Sequence, residues 1–465
     1  MELDPLLLSR LQFAFVVCFH AIFPAFTIGL ATFIAFLETL AFKTGNPAWA
    51  RLSRFWIQVF AVAFAMGVVS GIVMSFQFGT NWSNFSYSAA NFIGPMLSYE
   101  VITAFFLEAA FLGVLLFGRD RVPPGMHLFA ACMVALGTLI STFWILSANS
   151  WMQTPAGTEM VDGMFLVGSW YEAIFNPSFP YRFAHMVLAS FLTGAFVVAG
   201  VSAWYLLEGR EIEVNRRALS VCLWLILLGA PIQAVVGDFH GINTLEHQPM
   251  KIAAIEGNWE TTQGMPLLLM AIPDQKNATN RFELGIPKLG SLILTHDVDG
   301  EVPGLKEIPA DERPPVWIVF WSFRIMVGIG VLMVACALAG VVLRRGDRYW
   351  RAPMFLNAMR LMTFSPFVAV LCGWITTEVG RFPWVVYEQM TQAQGVTPSL
   401  TGAMVLSTLI GYILVYTVIF SAGLYYLMLV LRAGIESIDH EQVHEVERPK
   451  RPLSASHVSI EEGGH

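Results

Sequence analysis

The sequence predicts an all-α chain that crosses a membrane about nine times, with its N-terminus outside and its C-terminus in the cytoplasm. Three observations carry that reading. Apolar residues fill 55% of the 465 positions and charged residues only 13%. The apolar residues gather in long unbroken runs, where strands would be short and alternating. Lys and Arg collect in every second connection between those runs, as cytoplasmic loops do.

Runs able to cross about 30 Å of hydrocarbon lie near residues 12–42, 55–78, 92–117, 126–148, 184–207, 218–236, 316–343, 361–379 and 404–432. The first is long enough to tilt, whereas the sixth and eighth are short and should end in the interface. Lys43, Arg51 and Arg54 follow the first run, Arg119 and Arg121 the third, and Arg210, Arg216 and Arg217 the fifth. Arg344, Arg345, Arg348, Arg351 and Arg360 follow the seventh. The other short connections are nearly free of basic residues: 79–91 has none, 149–183 only Arg182, and 380–403 only Arg381. Residues 1–432 therefore read as one membrane domain. Within it, 237–315 is too long for a plain connection and should form an outer lid. Residues 433–465 read as a polar cytoplasmic tail, with His440, His444, His457 and His465 scattered through it.

Several classes are excluded. The opening Met1-Glu2-Leu3-Asp4-Pro5 lacks the basic stretch and cleavage site of a secretory leader, so none is expected. The five cysteines lie inside apolar runs without Cys-x-x-Cys spacing and read as core thiols. No basic block could track phosphates, so nucleic acid is not an expected partner. No internal repeat points to an inverted-symmetry transporter.

Function should reside in the ionisable groups inside the runs, since a charge at membrane depth costs roughly 3 kcal/mol on insertion scales and normally faces a cavity, a partner or a cofactor. Glu378 ends the eighth run before Gly380 and Pro383 stop the helix, and the bland reading pairs it with Arg381 at the membrane surface. His20 and His185 are the histidines expected within the hydrophobic interior, with His127 at a cytoplasmic helix end. Glu100 and Glu108 sit two turns apart on the third run, and Arg324 lies close to Met326 on the seventh. At about 1.5 Å per residue, His185 should lie near the outer surface and Glu100, His20 and Met326 roughly 12–15 Å below it. Haem iron accepts His and Met axial ligands from separate helices, while zinc would want a tighter cluster. Lys251 and Glu256, taken alone, read as a surface ion pair on a short helix.

These residues resemble subunit I of the cytochrome bd quinol oxidases. The likeness runs over nearly the whole chain. It includes Ser9-Arg10-Leu11-Gln12-Phe13 before His20, Phe76-Gln77-Phe78-Gly79-Thr80-Asn81-Trp82, Trp144-Ile145-Leu146 and Trp151-Met152-Gln153. It continues through Lys251-Ile252-Ala253-Ala254-Ile255-Glu256, Gly257-Asn258-Trp259-Glu260-Thr261, Ile272-Pro273-Asp274-Gln275, Phe323-Arg324-Ile325-Met326 and the Glu378 segment. The resemblance implies a terminal oxidase of the bacterial inner membrane that oxidises quinol outside and reduces dioxygen to water with cytoplasmic protons. It implies His185 and Met326 as ligands of a low-spin haem b. His20 and Glu378 become ligands at a pair formed by a high-spin haem b and a haem d or third haem b, with Glu100 beside them. Glu108 with Thr138 and Ser141 is similar to the family's proton route, and Lys251 with Glu256 to its quinol site. Arg10, Arg324, Arg381 and Trp374 belong with the cofactor contacts. A second large subunit is implied, and in some members a small single-helix one. Gly380-Arg381-Phe382-Pro383-Trp384 departs from the Gly-Arg-Gln-Pro-Trp of many relatives, which, with the short outer loop, resembles the cyanide-insensitive branch. An electron-transfer-only cytochrome b, or a haem-free transporter, are the alternatives.

Overall fold

The computed structural model describes residues 3–436, so the histidines of the tail lie outside the described residues. Among the described residues, nine helices are long and apolar enough to cross a membrane. We label them α1 (Pro5–Thr44), α2 (Pro47–Thr80), α3 (Ala90–Phe117), α4 (Pro124–Gln153), α5 (Phe179–Leu207), α6 (Ile212–His247), α7 (Val316–Arg344), α8 (Ser365–Val379) and α9 (Gly402–Ala433). Their starts follow local chemistry. The Asp4 and Asn46 side chains accept from the amides of Leu6 and Ala48, and proline occupies the first turn of α1 and α2, where its missing N–H costs nothing.

α1 and α2 start seven and eight residues before the expected boundaries, and α6 and α8 differ in form as well. α6 is 36 residues long and continues to His247, so its upper third is helix where an outer loop was expected. Asp238, His240 and Asn243 end the hydropathy signal there, but hydrogen-bonded helix persists wherever its polar face finds protein to pack on. α8 has only 15 residues and is preceded by a separate helix, Pro353–Met362. Pro366 lies in the first turn of α8, a position that proline tolerates but that a continuous helix through 353–379 would not.

α3 contains the third irregularity. Residues Val101–Phe105 form a π-helical turn between Glu100 and Glu108. Eight residues of α-helix advance about 2.2 turns and would leave the two carboxylates on different faces; a π turn absorbs one residue, leaving about 1.9 turns and bringing them into line.

In hydrocarbon, helices gain little by hiding apolar surface from one another, so close backbone approach and packing must hold the bundle. α1 and α5 meet in this way. A Cβ built on Gly29 would fall 2.1 Å from the Ser190 carbonyl oxygen, and one on Gly194 would fall 2.8 Å from the Gly29 carbonyl carbon. Around this crossing lies the main core, with Phe55, Trp56, Phe60, Phe196 and Tyr205 at its largest positions. Four small antiparallel pairs complete the structure: 158–161 with 164–167, 262–263 with 301–302, 267–274 with 279–286, and 384–386 with 390–391. All belong to the α4–α5, α6–α7 and α8–α9 connections, hence to one end of the bundle. The connections at the other end are short turns, apart from the Pro353–Met362 helix.

Candidate haem and quinol site

α4 orders the buried carboxylates. Its last turns carry Asn149 and Gln153, whose amides donate to Glu378 Oε1 at 2.9 and 3.3 Å. Eight residues earlier, about 12 Å along the axis, Ser141 donates to Glu100 at 2.8 Å. One turn further, Gly137 leaves room for Glu108, since a Cβ there would stand 2.5 Å from Glu108 Cγ. Near its other end, His127 Nδ1 lies 3.0 Å from Glu38. Glu378, Glu100, Glu108 and Glu38 thus lean on one helix in sequence.

At the capped end, Glu378 belongs to a larger assembly. Its Oε2 accepts from Arg381 at 2.5 Å, and the pair lies largely inside the protein, with Arg381 buried and Glu378 partly so, in place of the surface pair that the bland reading expects. Arg182 is buried as well and donates to Asn149 Oδ1 at 3.2 Å. Lys251 donates to the side-chain Oε1 atoms of Gln153 and Gln248 at 2.5 and 2.6 Å. Burial, with Arg182 and Arg381 close by, holds its ammonium pKa well below the ordinary lysine range, against the pull of Glu378.

Lys251 and Glu256 do not form the surface pair considered from sequence. Both are buried on the short helix Pro249–Glu256, and they turn to different neighbours. Glu256 Oε2 accepts from Arg324 at 2.6 Å, and the same guanidinium donates to the Leu268 carbonyl at 2.6 Å while stacking over Phe320. Arg324 therefore links the lid to α7, two residues before Met326.

The three candidate iron ligands other than Glu378 share a feature that sequence did not reveal: each lies against a glycine of the next helix. A Cβ on Gly237 would come within 3.2 Å of the His185 ring, one on Gly71 within 3.1 Å of the His20 ring, and one on Gly373 within 3.1 Å of the Met326 sulfur. His20 also lies 3.0 Å from the Ser70 hydroxyl on α2, which places it on the α1–α2 seam. Arg10 stacks over Phe382 at 4.9 Å, so the residue that departs from the common pattern has a cationic partner. Trp374 adjoins Gly373 on α8.

Sequence reasoning missed several participants. His240, assigned to the outer lid, lies on α6 with its ring 5.6 Å from that of His185, correcting the expectation that only His20 and His185 reach this interior. Arg182 was noticed only as a loop charge. Asn149, Gln153 and Gln248 have no titratable group to draw the eye; their signal was the Trp151-Met152-Gln153 motif at the end of a span.

The donor set fits a flat dianionic cofactor. Among the described residues, no three His, Cys, Asp or Glu side chains converge as a metal site. Among the described residues, buried N–H groups nevertheless lack acceptors at Arg182 Nε, Arg324 Nη1, and Arg381 Nε and Nη1, and His185 Nδ1 is also without a partner. Unpaired buried donors are costly, and haem propionates are acceptors of the right charge.

Comparison with known proteins agrees. The family model for cytochrome bd terminal oxidase subunit I matches residues 8–435. The chain is 35% identical to the Bacillus subtilis cytochrome bd ubiquinol oxidase subunit 1, over 97% of this chain and 98% of that one. It is 32% identical to the Escherichia coli cytochrome bd-II ubiquinol oxidase subunit 1, over 94% and 98%. The bd oxidase structure from Geobacillus thermodenitrificans superposes with a TM-score of 0.86 at 32% identity, covering 93% of this chain and 99% of that one. The chain belongs to the cytochrome bd terminal oxidase subunit I family, the respiratory oxidases of the bacterial inner membrane.

Proposed function

We propose that this subunit oxidises quinol at the β-capped end of the bundle, taken as the outer face, and reduces dioxygen to water within it, drawing protons from the opposite, cytoplasmic side. Haem cofactors, a quinol substrate and a second subunit follow from the family. The finer assignment is ours: His185 and Met326 hold a low-spin haem b, and His20 and Glu378 serve a high-spin haem b and a third haem, d or b. When bound, these groups supply one-electron transfer and oxygen reduction. The observation that carries the reading is the set of unpaired guanidinium N–H groups of Arg182, Arg324 and Arg381 beside candidate iron ligands and a lid.

The chain's own residues manage position and protons. Glu256 accepts the quinol proton as general base, since deprotonation must accompany electron loss, and Arg324 at 2.6 Å holds its carboxylate in place. Lys251 acts from beneath, fixing Gln153 and Gln248 and so the amide that orients Glu378. Glu108 and Glu100, aligned by the π turn, pass protons along α4 toward the Asn149 level, with Ser141 bridging to Glu100. Protons leave on one side and are consumed from the other, so turnover charges the membrane without a pump. An electron-transfer-only cytochrome would have no use for this carboxylate series. The test is a visible spectrum of the purified complex, reduced and then exposed to carbon monoxide: low-spin haem together with a gas-binding high-spin fraction is expected, and low-spin haem alone would overturn the oxygen-reducing assignment.

A further inference from the structure

Of the two histidines proposed as iron ligands, only one has its second ring nitrogen secured. His185 Nδ1 is buried without a partner among the described residues, and the Gln233 amide beside it donates to the His185 backbone carbonyl, not to the ring. His20 Nδ1, by contrast, lies 3.0 Å from the Ser70 hydroxyl on α2. We infer that Ser70 is a positioning residue, which selects the His20 tautomer that carries its proton on Nδ1 and presents the Nε2 lone pair to iron. The inference rests on the reading of His20 as a haem ligand given above.

The direction of the contact follows from what lies on the other side of the serine. Ser70 Oγ also sits 2.9 Å from the Gly67 carbonyl oxygen, one turn back on α2. A carbonyl can only accept, so the single hydroxyl proton is committed there and the oxygen turns its lone pairs to the imidazole. His20 Nδ1 is therefore the donor, a tautomer fixed by the hydrogen-bond network around it. The Gly67 carbonyl also accepts from the ring and, being next to the hydroxyl, acts on the same edge of it.

The α1–α2 seam is shaped to hold this pose. Gly67 and Gly71, four residues apart, lie on one face of α2. A Cβ on Gly67 would fall 3.1 Å from Phe23 Cβ, and one on Gly71 would fall 3.1 Å from His20 Cε1 and 3.6 Å from Nδ1. The two glycines thus let α1 approach until the ring reaches the serine. Ser70 is fully buried, so bulk water does not compete for the N–H. An outer acceptor of this kind orients a ligating imidazole and raises the basicity of its other nitrogen. His20 is then the stronger donor to iron and His185, without such a partner, the weaker.

The test uses the assembled oxidase, reduced and free of oxygen, and reads the iron–histidine stretching band by resonance Raman spectroscopy. His20→Ala should remove a high-spin haem together with its band. Ser70→Ala should retain the haem but move the band to lower frequency and raise that haem's reduction potential. It should also speed transfer of the haem to excess apomyoglobin about tenfold, the lower end of what a lost outer partner costs. Ser70→Thr, which restores the hydroxyl, should return all three readouts to the wild-type values. A Ser70→Ala band at the wild-type position overturns the role of Ser70 while leaving His20 as a ligand. So does a Ser70→Thr band shifted as far as that of Ser70→Ala, since packing alone would then explain it. An unaltered haem complement in His20→Ala overturns the ligand reading itself, and this inference with it. If Ser70→Ala does not assemble, Ser70→Cys, which keeps the side chain's size but is a weak acceptor, should show the lowered band, and an unshifted one overturns the assignment.

Discussion

Two glutamates in ion-pair clusters, the buried Glu38 and the partly buried Glu378, show how differently one residue type can be used. Glu38, near the end of α1, accepts from Ser53 and Arg119, and His127 lies 3.0 Å from its other oxygen while also donating to the Leu115 carbonyl. Four elements are tied together, and no side chain of this group is left without a partner among the described residues. Glu378 is equally well supplied with donors, from Arg381, Asn149 and Gln153, but the arginines around it keep N–H groups that find no acceptor among the described residues. The first cluster is complete and ties helices together; the second keeps unpaired donors, as the proposed haem site requires. Burial of charge alone does not distinguish these two clusters, whereas their balance of donors and acceptors does.

That contrast can be broken in graded ways. His185→Ala should remove one haem outright, read as complete loss of the low-spin absorbance while the remaining bands and the fold persist; retention of that band would displace His185 from the ligand set. Glu108→Gln should lower oxygen consumption at least 100-fold, the usual range for a lost proton-transfer group, with quinol still able to reduce the first haem; normal turnover would cut the α4 series from the mechanism. Glu38→Ala should do the opposite, costing about 3 kcal/mol of stability because Arg119 and His127 lose their acceptor, with the haem spectrum of the surviving protein unchanged. A spectral change without loss of melting temperature would show that the complete cluster is functional after all. Gly373→Ala is expected to be milder: the new methyl presses on the Met326 sulfur and should shift the low-spin band without abolishing it.

The smallest effect concerns Lys251. Its folded pKa is depressed, so between that value and the unfolded one near 10.5 the unfolded chain binds the additional proton, and stability rises with pH across this window. Against Lys251→Met, the wild-type melting temperature should therefore gain as pH increases toward 10; a gap that moves the other way would mean that the ammonium is retained in the fold.

Much of this was legible in the sequence where hydropathy and charge speak for themselves. The nine spans follow from apolar runs, and His185, Glu108 and Glu378 stand out because an ionisable side chain is rare within one; Met326, one of 21 methionines, is picked out only by the family resemblance. The upper third of α6 was not legible, since Asp238, His240 and Asn243 lower the hydropathy of a helix that tertiary packing nevertheless sustains, and with it His240 was misplaced. Arg182 looked like a loop charge because linear position says nothing about the cover provided by α4 and the lid. Lys251 and Glu256 looked like partners because spacing along one short helix suggests it, yet the nearer acceptors and donors come from other elements. The π turn lies among Val101–Phe105, ordinary helix formers that give no sign of it.

The role of α4 has a mechanical consequence. Because one rod carries the contact points for all four glutamates, their relative phase is fixed by residue count alone. A single residue inserted between His127 and Gly137 would rotate the Glu38 contact by about 100° and shift it about 1.5 Å relative to the other three, without altering any side chain. Substitutions can retune the strength of each contact one at a time, but an insertion or deletion in this stretch breaks the register between the bolted end of the bundle and the reactive one.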